Sequence, residues 1–222
     1  MNSRTIPDAH RATWRQSVHD GWVLARGASP ASRGGATFRV WAPNARRVDL
    51  VIGDRRHPLV PREAGLFESA VPGVRAGDDY AYSLDGDPPL PDPVSRWQPY
   101  GVFGRSRIVN PFEYPWRDAD WRGMAMADYV IYEMHVGSFT HAGTFDSARE
   151  HLAPLAELGV TAVELMPVAQ FPGTRNWGYD GVHLYAPQNS YGGPEGLRRF
   201  VDAAHAAGLA VIMDVVYNHI GP

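Results

Sequence analysis

The chain has 222 residues, 44% apolar and 20% charged, with 21 Lys and Arg against 24 Asp and Glu and a net charge of −3. This is the balance of a folded chain, not a disordered tail, and it leaves no basic face of the kind nucleic-acid binding needs. There is no cysteine, so disulfides, thiolate metal sites and cysteine nucleophiles are excluded together. Met1–Trp14 lacks the apolar stretch of a secretory signal, and the apolar run Gly208–Met213 is far short of the ~20 residues that span a membrane. The expected setting is cytoplasmic. Seven Trp and ten Tyr beside 23 Gly and 19 Pro suit flat rings presented on stiff loops, as sugar recognition requires; ordinary core and turn chemistry fits the same counts.

Residues 1–20 are expected to be a flexible lead-in and residues 21–112 a β-sandwich. Phe38 and Val40 alternate with Thr37 and Arg39; Val48, Leu50 and Ile52 with Arg47, Asp49 and Val51; Tyr80, Tyr82 and Leu84 with Ala81 and Ser83. Period-two patterning between turn residues predicts short antiparallel strands. The connector Pro88-Pro89-Leu90-Pro91-Asp92-Pro93 is predicted to lie extended over the surface.

Residues 113–222 follow a different rule. Tyr129–Phe139 reads as a strand, and Ser147–Glu150 as a capping box opening a helix with Leu152, Leu155 and Ala156 on one face. Pro154 either kinks that helix or marks a late first turn. Val160–Val168 reads as a second strand. Pro194 opens a helix carrying Leu197, Phe200, Val201 and Ala204 at helical spacing, and Leu209–Val216 reads as a third strand. Strand, helix, strand, helix, strand with apolar strands predicts parallel βαβ units.

In such architectures ligands bind at the carboxyl ends of the strands. Two segments fall there. One is the long connection from about Ala169 to Gly193, longer than structureless loops usually are unless they are functional; Trp177 and Tyr179 on it either pack the loop down or meet a sugar. The other is Asp214-Val-Val-Tyr-Asn218-His219, where His219 could donate to a hydroxyl and Asp214 could orient it, or both could be structural. Glu133, His135 and Glu164 lie within strands, as a core network or facing a barrel interior. No His or acidic spacing predicts a metal site, and no phosphate-cradling loop or cofactor motif is present.

These residues carry a resemblance. Asp214–His219 resembles the first short block of the α-amylase family of glycoside hydrolases, and Tyr132–Phe139, Phe171–Asp180 and Pro91–Pro99 are similar to its branch that cleaves maltooligosyl trehalose. The first half, with Phe38–Asn44, looks like the sandwich preceding the barrel there. The resemblance implies a β-sandwich followed by the first three strands and two helices of a (β/α)8 barrel. It implies retaining hydrolysis of the α-1,4 bond beside the terminal trehalose, with no cofactor or metal. It places Tyr179 stacked on the sugar at the cleavage point, Trp177 beside it, His219 on a hydroxyl, Asp214 in the local polar network and Asn218 as its support. The partner is maltooligosyl trehalose or a related α-glucan, with neither nucleic acid nor membrane. The family's nucleophilic Asp and acid Glu follow later strands and are expected beyond Pro222, so no catalytic residue is expected within the chain. A full barrel takes about 250 residues, and the chain is expected to be an amino-terminal portion, inactive alone. A glucan branching enzyme fragment and a non-catalytic α-glucan-binding protein are the alternatives.

Overall fold

The computed structural model describes residues 25–31 and 34–221; the expected lead-in, 1–20, lies outside the described residues, and so does Pro222. The first half is two four-stranded antiparallel sheets. Strands β1 (Gly27–Pro30), β2 (Ala36–Trp41), β5 (Val60–Pro61) and β6 (Leu66–Val71) form one, in the order β1-β2-β6-β5; β3 (Val48–Ile52), β4 (Arg55–Pro58), β7 (Asp79–Leu84) and β8 (Ser106–Arg107) form the other, in the order β4-β3-β7-β8. The alternating residues do meet: Phe38, Val40, Leu50, Tyr80 and Tyr82 are buried together, with Phe38 edge-on to Tyr80 at 5.1 Å between ring centres. The outward set predicted on β3 is not all outward. Asp49 and Val51 are buried, and Asp49 is paired with Arg47 Nη2 at 2.9 Å, because a carboxylate enters an interior only with a partner.

The proline-rich connector keeps its expected surface course except at one residue: Pro88, Pro89, Leu90 and Pro93 are exposed. Leu90 donates to and accepts from Tyr82, both at 2.8 Å, and Asp92 is fully buried. Leu90 is free to pair because its own N–H remains, while the flanking prolines need no acceptor. Asp92 accepts from Tyr80 Oη at 2.6 Å and from the Val94 amide at 2.9 Å.

The second half has its own core around a parallel sheet. Strands β9 (Ile131–Met134), β10 (Ala162–Leu165) and β13 (Ala210–Met213) run parallel in the order β13-β10-β9, with Glu164 beside both Glu133 and Ile212. All three are shorter than their apolar runs. Chain predicted as strand beyond Met134 turns into helix α1 (Val136–Phe139). Tyr132, Met134, Val163, Leu165 and Val211 pack under the helices; Glu133 and Ile131 are exposed on the other face. His135 therefore does not share a strand face with Glu133, since it lies past the strand's end as the residue preceding α1.

Two helical readings are revised. The capping box is Thr144 with Ser147, so Ser147 is the reciprocating residue inside α2 (Phe145–Arg149), not its cap. Pro154 then lies in the first turn of a separate helix, α3 (Leu152–Glu157), where its missing N–H costs nothing. The last helix, α4 (Gly193–Ala206), has Pro194 in its first turn and buries Phe200 and Ala204 as predicted. The connection expected to be a structureless loop contains a short antiparallel hairpin, β11 (Ala169–Gln170) with β12 (His183–Pro187).

The halves share polar contacts. His183 Nε2 lies 3.0 Å from the Val102 carbonyl and 3.2 Å from Gln98 Nε2, all buried. Asn189 Nδ2 donates to the Pro99 carbonyl at 3.2 Å, and within the second half Arg117 donates to Asp202 Oδ2 at 2.7 Å, tying the segment before β9 to α4.

Candidate functional site

The hairpin is braced by two buried glutamines. Gln188 accepts from the Phe171 amide at 3.0 Å and donates to the Gly173 carbonyl at 2.9 Å, and Gln170 accepts from the Asn189 amide at 2.9 Å. What projects from this brace is the turn 174–181. Asn176 Oδ1 accepts from the Gly178 amide at 2.7 Å and its Nδ2 donates to Asp180 Oδ2 at 2.5 Å, a side chain closing its own backbone turn. Gly178 has φ +100, and a Cβ there would fall onto the Pro167 carbonyl oxygen. The turn thus sits directly on the end of β10, and only glycine lets it do so. Trp177 and Tyr179, on either side, are held outward with 64% and 44% of their surface exposed.

The second segment joins the first. Asp214 continues the sheet, its amide donating to the Leu165 carbonyl at 2.9 Å, and the chain then crosses to the turn. His219 Nε2 donates to the Tyr179 carbonyl at 2.6 Å, and the Gly221 amide donates to the Gly181 carbonyl at 2.9 Å. Gly221 is there because a Cβ would strike the Asp180 carbonyl. His219 is therefore tied to the turn that carries Trp177 and Tyr179, past the carboxyl ends of β10 and β13. Pro222, beyond which the nucleophile and acid are expected, follows Gly221 directly and lies outside the described residues.

Asp214 and Asn218 do not meet. Asn218 Oδ1 lies 3.1 Å from His219 Nδ1, and among the described residues Asp214's carboxylate has no hydrogen-bonded partner. It lines a cavity of about 160 Å³ with Gly178, Tyr185 and Tyr217. On the other side of the turn, a groove of about 690 Å³ runs between His135, Gly137 and Ser138 and the stretch from Thr174 to Asp180. Burial pushes the neighbouring Tyr191 hydroxyl up to about 12, so it stays a neutral donor. Among the described residues, no group of three or more His, Asp or Glu stands together as a metal site requires, and no helix is long and apolar enough to cross a membrane.

Asn176 and the two glutamines were missed in the sequence. Asn two residues before Gly signals a side-chain-closed turn, so Asn176 could have been found; the glutamines carry no local signal, because their partners are remote in sequence.

Residues 113–222 match the model of the alpha amylase catalytic domain, and residues 26–100 that of carbohydrate-binding module 48, the isoamylase N-terminal domain. The chain belongs to the α-amylase family of glycoside hydrolases. Within that family it is 52% identical over 189 residues to the malto-oligosyltrehalose trehalohydrolase of Saccharolobus solfataricus, covering 85% of this chain and 34% of that protein. It is 48% identical over 197 residues to the Deinococcus radiodurans enzyme of the same name, covering 88% and 32%. A 1,4-alpha-glucan branching enzyme of Xanthomonas oryzae pv. oryzae is 39% identical, covering 83% and 28%. A candidate alpha amylase of Salmonella typhimurium, solved by crystallography, superposes with TM-score 0.88 at 44% identity, over 90% of this chain and 34% of that one. The chain thus spans about a third of the length of the curated relatives it matches.

Proposed function

We propose that this chain is the amino-terminal part of a glycoside hydrolase that releases trehalose from maltooligosyl trehalose, by retaining cleavage of the α-1,4 bond beside the terminal trehalose. Residues 21–112 are its carbohydrate-binding-like sandwich, and residues 113–222 supply the first three strands of its (β/α)8 barrel. Tyr179 stacks on the sugar at the cleavage point, with Trp177 beside it. His219 holds the Tyr179 peptide by donating through Nε2, while Asn218 stands beside its Nδ1 and supports the ring, and Asp214 polarises the cavity beneath. The reactive carboxylate pair is assigned beyond Pro222: Asp180 is taken up by Asn176, and nothing pairs it with Asp214 as acid and nucleophile.

The observation that carries this reading is the 2.6 Å hydrogen bond from His219 to the Tyr179 carbonyl, which joins the family block to the aromatic turn. The substrate choice rests on the 52% identity to a trehalohydrolase against 39% to a branching enzyme.

A hybrid tests it. The matching segment of the Saccharolobus solfataricus enzyme is replaced by residues of this chain, and products from maltooligosyl trehalose are separated by chromatography. Trehalose release is expected, and Tyr179→Ala in the hybrid should lower kcat/KM roughly 30-fold, the worth of one buried ring. A folded hybrid that transfers glucan without releasing trehalose would contradict the substrate assignment.

A further inference from the structure

His135 is not explained by the assignments above. It follows β9, and its ring reaches across to the aromatic turn. The Asn176 carbonyl lies 2.7 Å from Nε2, and Ser138 Oγ lies 2.9 Å from Nδ1. A carbonyl only accepts, so the ring hydrogen sits on Nε2, and Nδ1 accepts from the Ser138 hydroxyl. The Tyr191 hydroxyl, itself buried, approaches the same pair, 3.1 Å from Nε2 and 3.5 Å from the Asn176 oxygen. One carbonyl thus faces two donors, from the end of β9 and from the start of α4's approach. The imidazole also packs against Trp177, with ring centres 5.0 Å apart.

The peptide so held, between Asn176 and Trp177, precedes both exposed aromatics. Besides Tyr191, the turn's other ties are local (Asn176 to Gly178 and Asp180) or come from the segment after β13 (His219 to Tyr179, Gly221 to Gly181). His135, the residue between β9 and α1, is the side chain that meets the turn from that end of the sheet.

We propose that His135 is a positioning residue: it holds the 176–177 peptide so that the Trp177 and Tyr179 rings face the groove in one orientation. It touches no reacting atom. The loss of one such hydrogen bond leaves the fold intact but frees the rings, whose ordering then falls to the ligand. That these rings meet saccharide rests on the function proposed above; that His135 orders them does not.

The test uses the 222-residue chain as wild type, His135→Ala and His135→Gln, the glutamine amide reaching the Nε2 position to restore the donor. NMR relaxation of the Trp177 indole and the Gly178 amide reports order, and titration with maltoheptaose reports affinity. The alanine variant should show lower order parameters at both probes with the remaining amides unchanged, and about fivefold weaker maltoheptaose binding; the glutamine variant should restore both. Unchanged order in a folded His135→Ala chain, or no restoration by glutamine, would overturn the proposal. Lowered order in His135→Ala with no maltoheptaose binding by wild type would support the positioning role while removing the saccharide reading.

Discussion

His219 and Tyr179 lie 40 residues apart and are joined by a 2.6 Å hydrogen bond from the imidazole Nε2 to the peptide carbonyl. The carbonyl belongs to the residue whose ring is presented to the groove, so the histidine acts on the orientation of that ring as well as on whatever lies beyond its other nitrogen. His219→Ala should cost no more than about 1 kcal/mol of stability, the net worth of one exposed hydrogen bond, yet weaken maltoheptaose binding about tenfold. Urea denaturation and calorimetric titration measure the two separately. A variant losing stability and affinity in step would show His219 to be only structural.

Gly178 is the hinge on which the aromatic turn rests. With φ +100 and the Pro167 carbonyl where a Cβ would stand, Gly178→Ala combines a left-handed backbone with a clash, and should cost about 1–3 kcal/mol. Urea denaturation checks the loss. A near-neutral result would mean that the turn is free to lift from β10, contrary to the packing described.

Asp92 predicts a pH dependence that arises within the sandwich. Burial pushes its carboxyl up to about 6, against smaller opposing effects from the Tyr80 hydroxyl, the Val94 amide and Arg96. A folded-state value above the unfolded one means that the folded chain holds the proton more tightly. The resulting stability is present in full below the unfolded value near 4 and is lost as pH rises through 6. His183, also buried near the connector, has its pKa lowered by burial, so it acts in the opposite sense, stabilising above its unfolded value and losing that contribution as pH falls. The difference between wild type and Asp92→Asn isolates the carboxyl. Relative to the variant, wild type should lose roughly 2.5 kcal/mol between pH 4 and pH 7.5, measured by urea denaturation at each pH. A pH-independent difference would place Asp92 in contact with water.

Much of the architecture was legible because it is written locally. Alternation found the inward faces of β2, β3 and β7, and helical spacing found the buried face of α4. Elements set by distant partners were not legible. Leu90 pairs because Tyr82, eight residues earlier on β7, lies opposite. The strand predicted over Tyr129–Phe139 stops at Met134, where the chain passes into α1, a change that no periodicity records. At the site, Tyr179 and His219 were singled out on separate segments at strand ends, and a hydrogen bond to the Tyr179 carbonyl links those segments, whereas Asp214 and Asn218, expected together, share no hydrogen bond among the described residues. Asn218 instead pairs with the neighbouring His219. The brace of Gln170 and Gln188, and the reach of His135 to Asn176, depend on tertiary approach alone.

The central claim is that the aromatic turn and the Asn218–His219 segment form one saccharide-binding wall. Chemical-shift mapping of the isotope-labelled chain against maltooligosyl trehalose tests it most directly. The account predicts the largest shifts at the Trp177 indole, the Tyr179 and Asp180 amides and the His219 ring, with the sandwich strands little affected. Shifts confined to the sandwich, or a ligand that moves no resonance between residues 174 and 181, would contradict it.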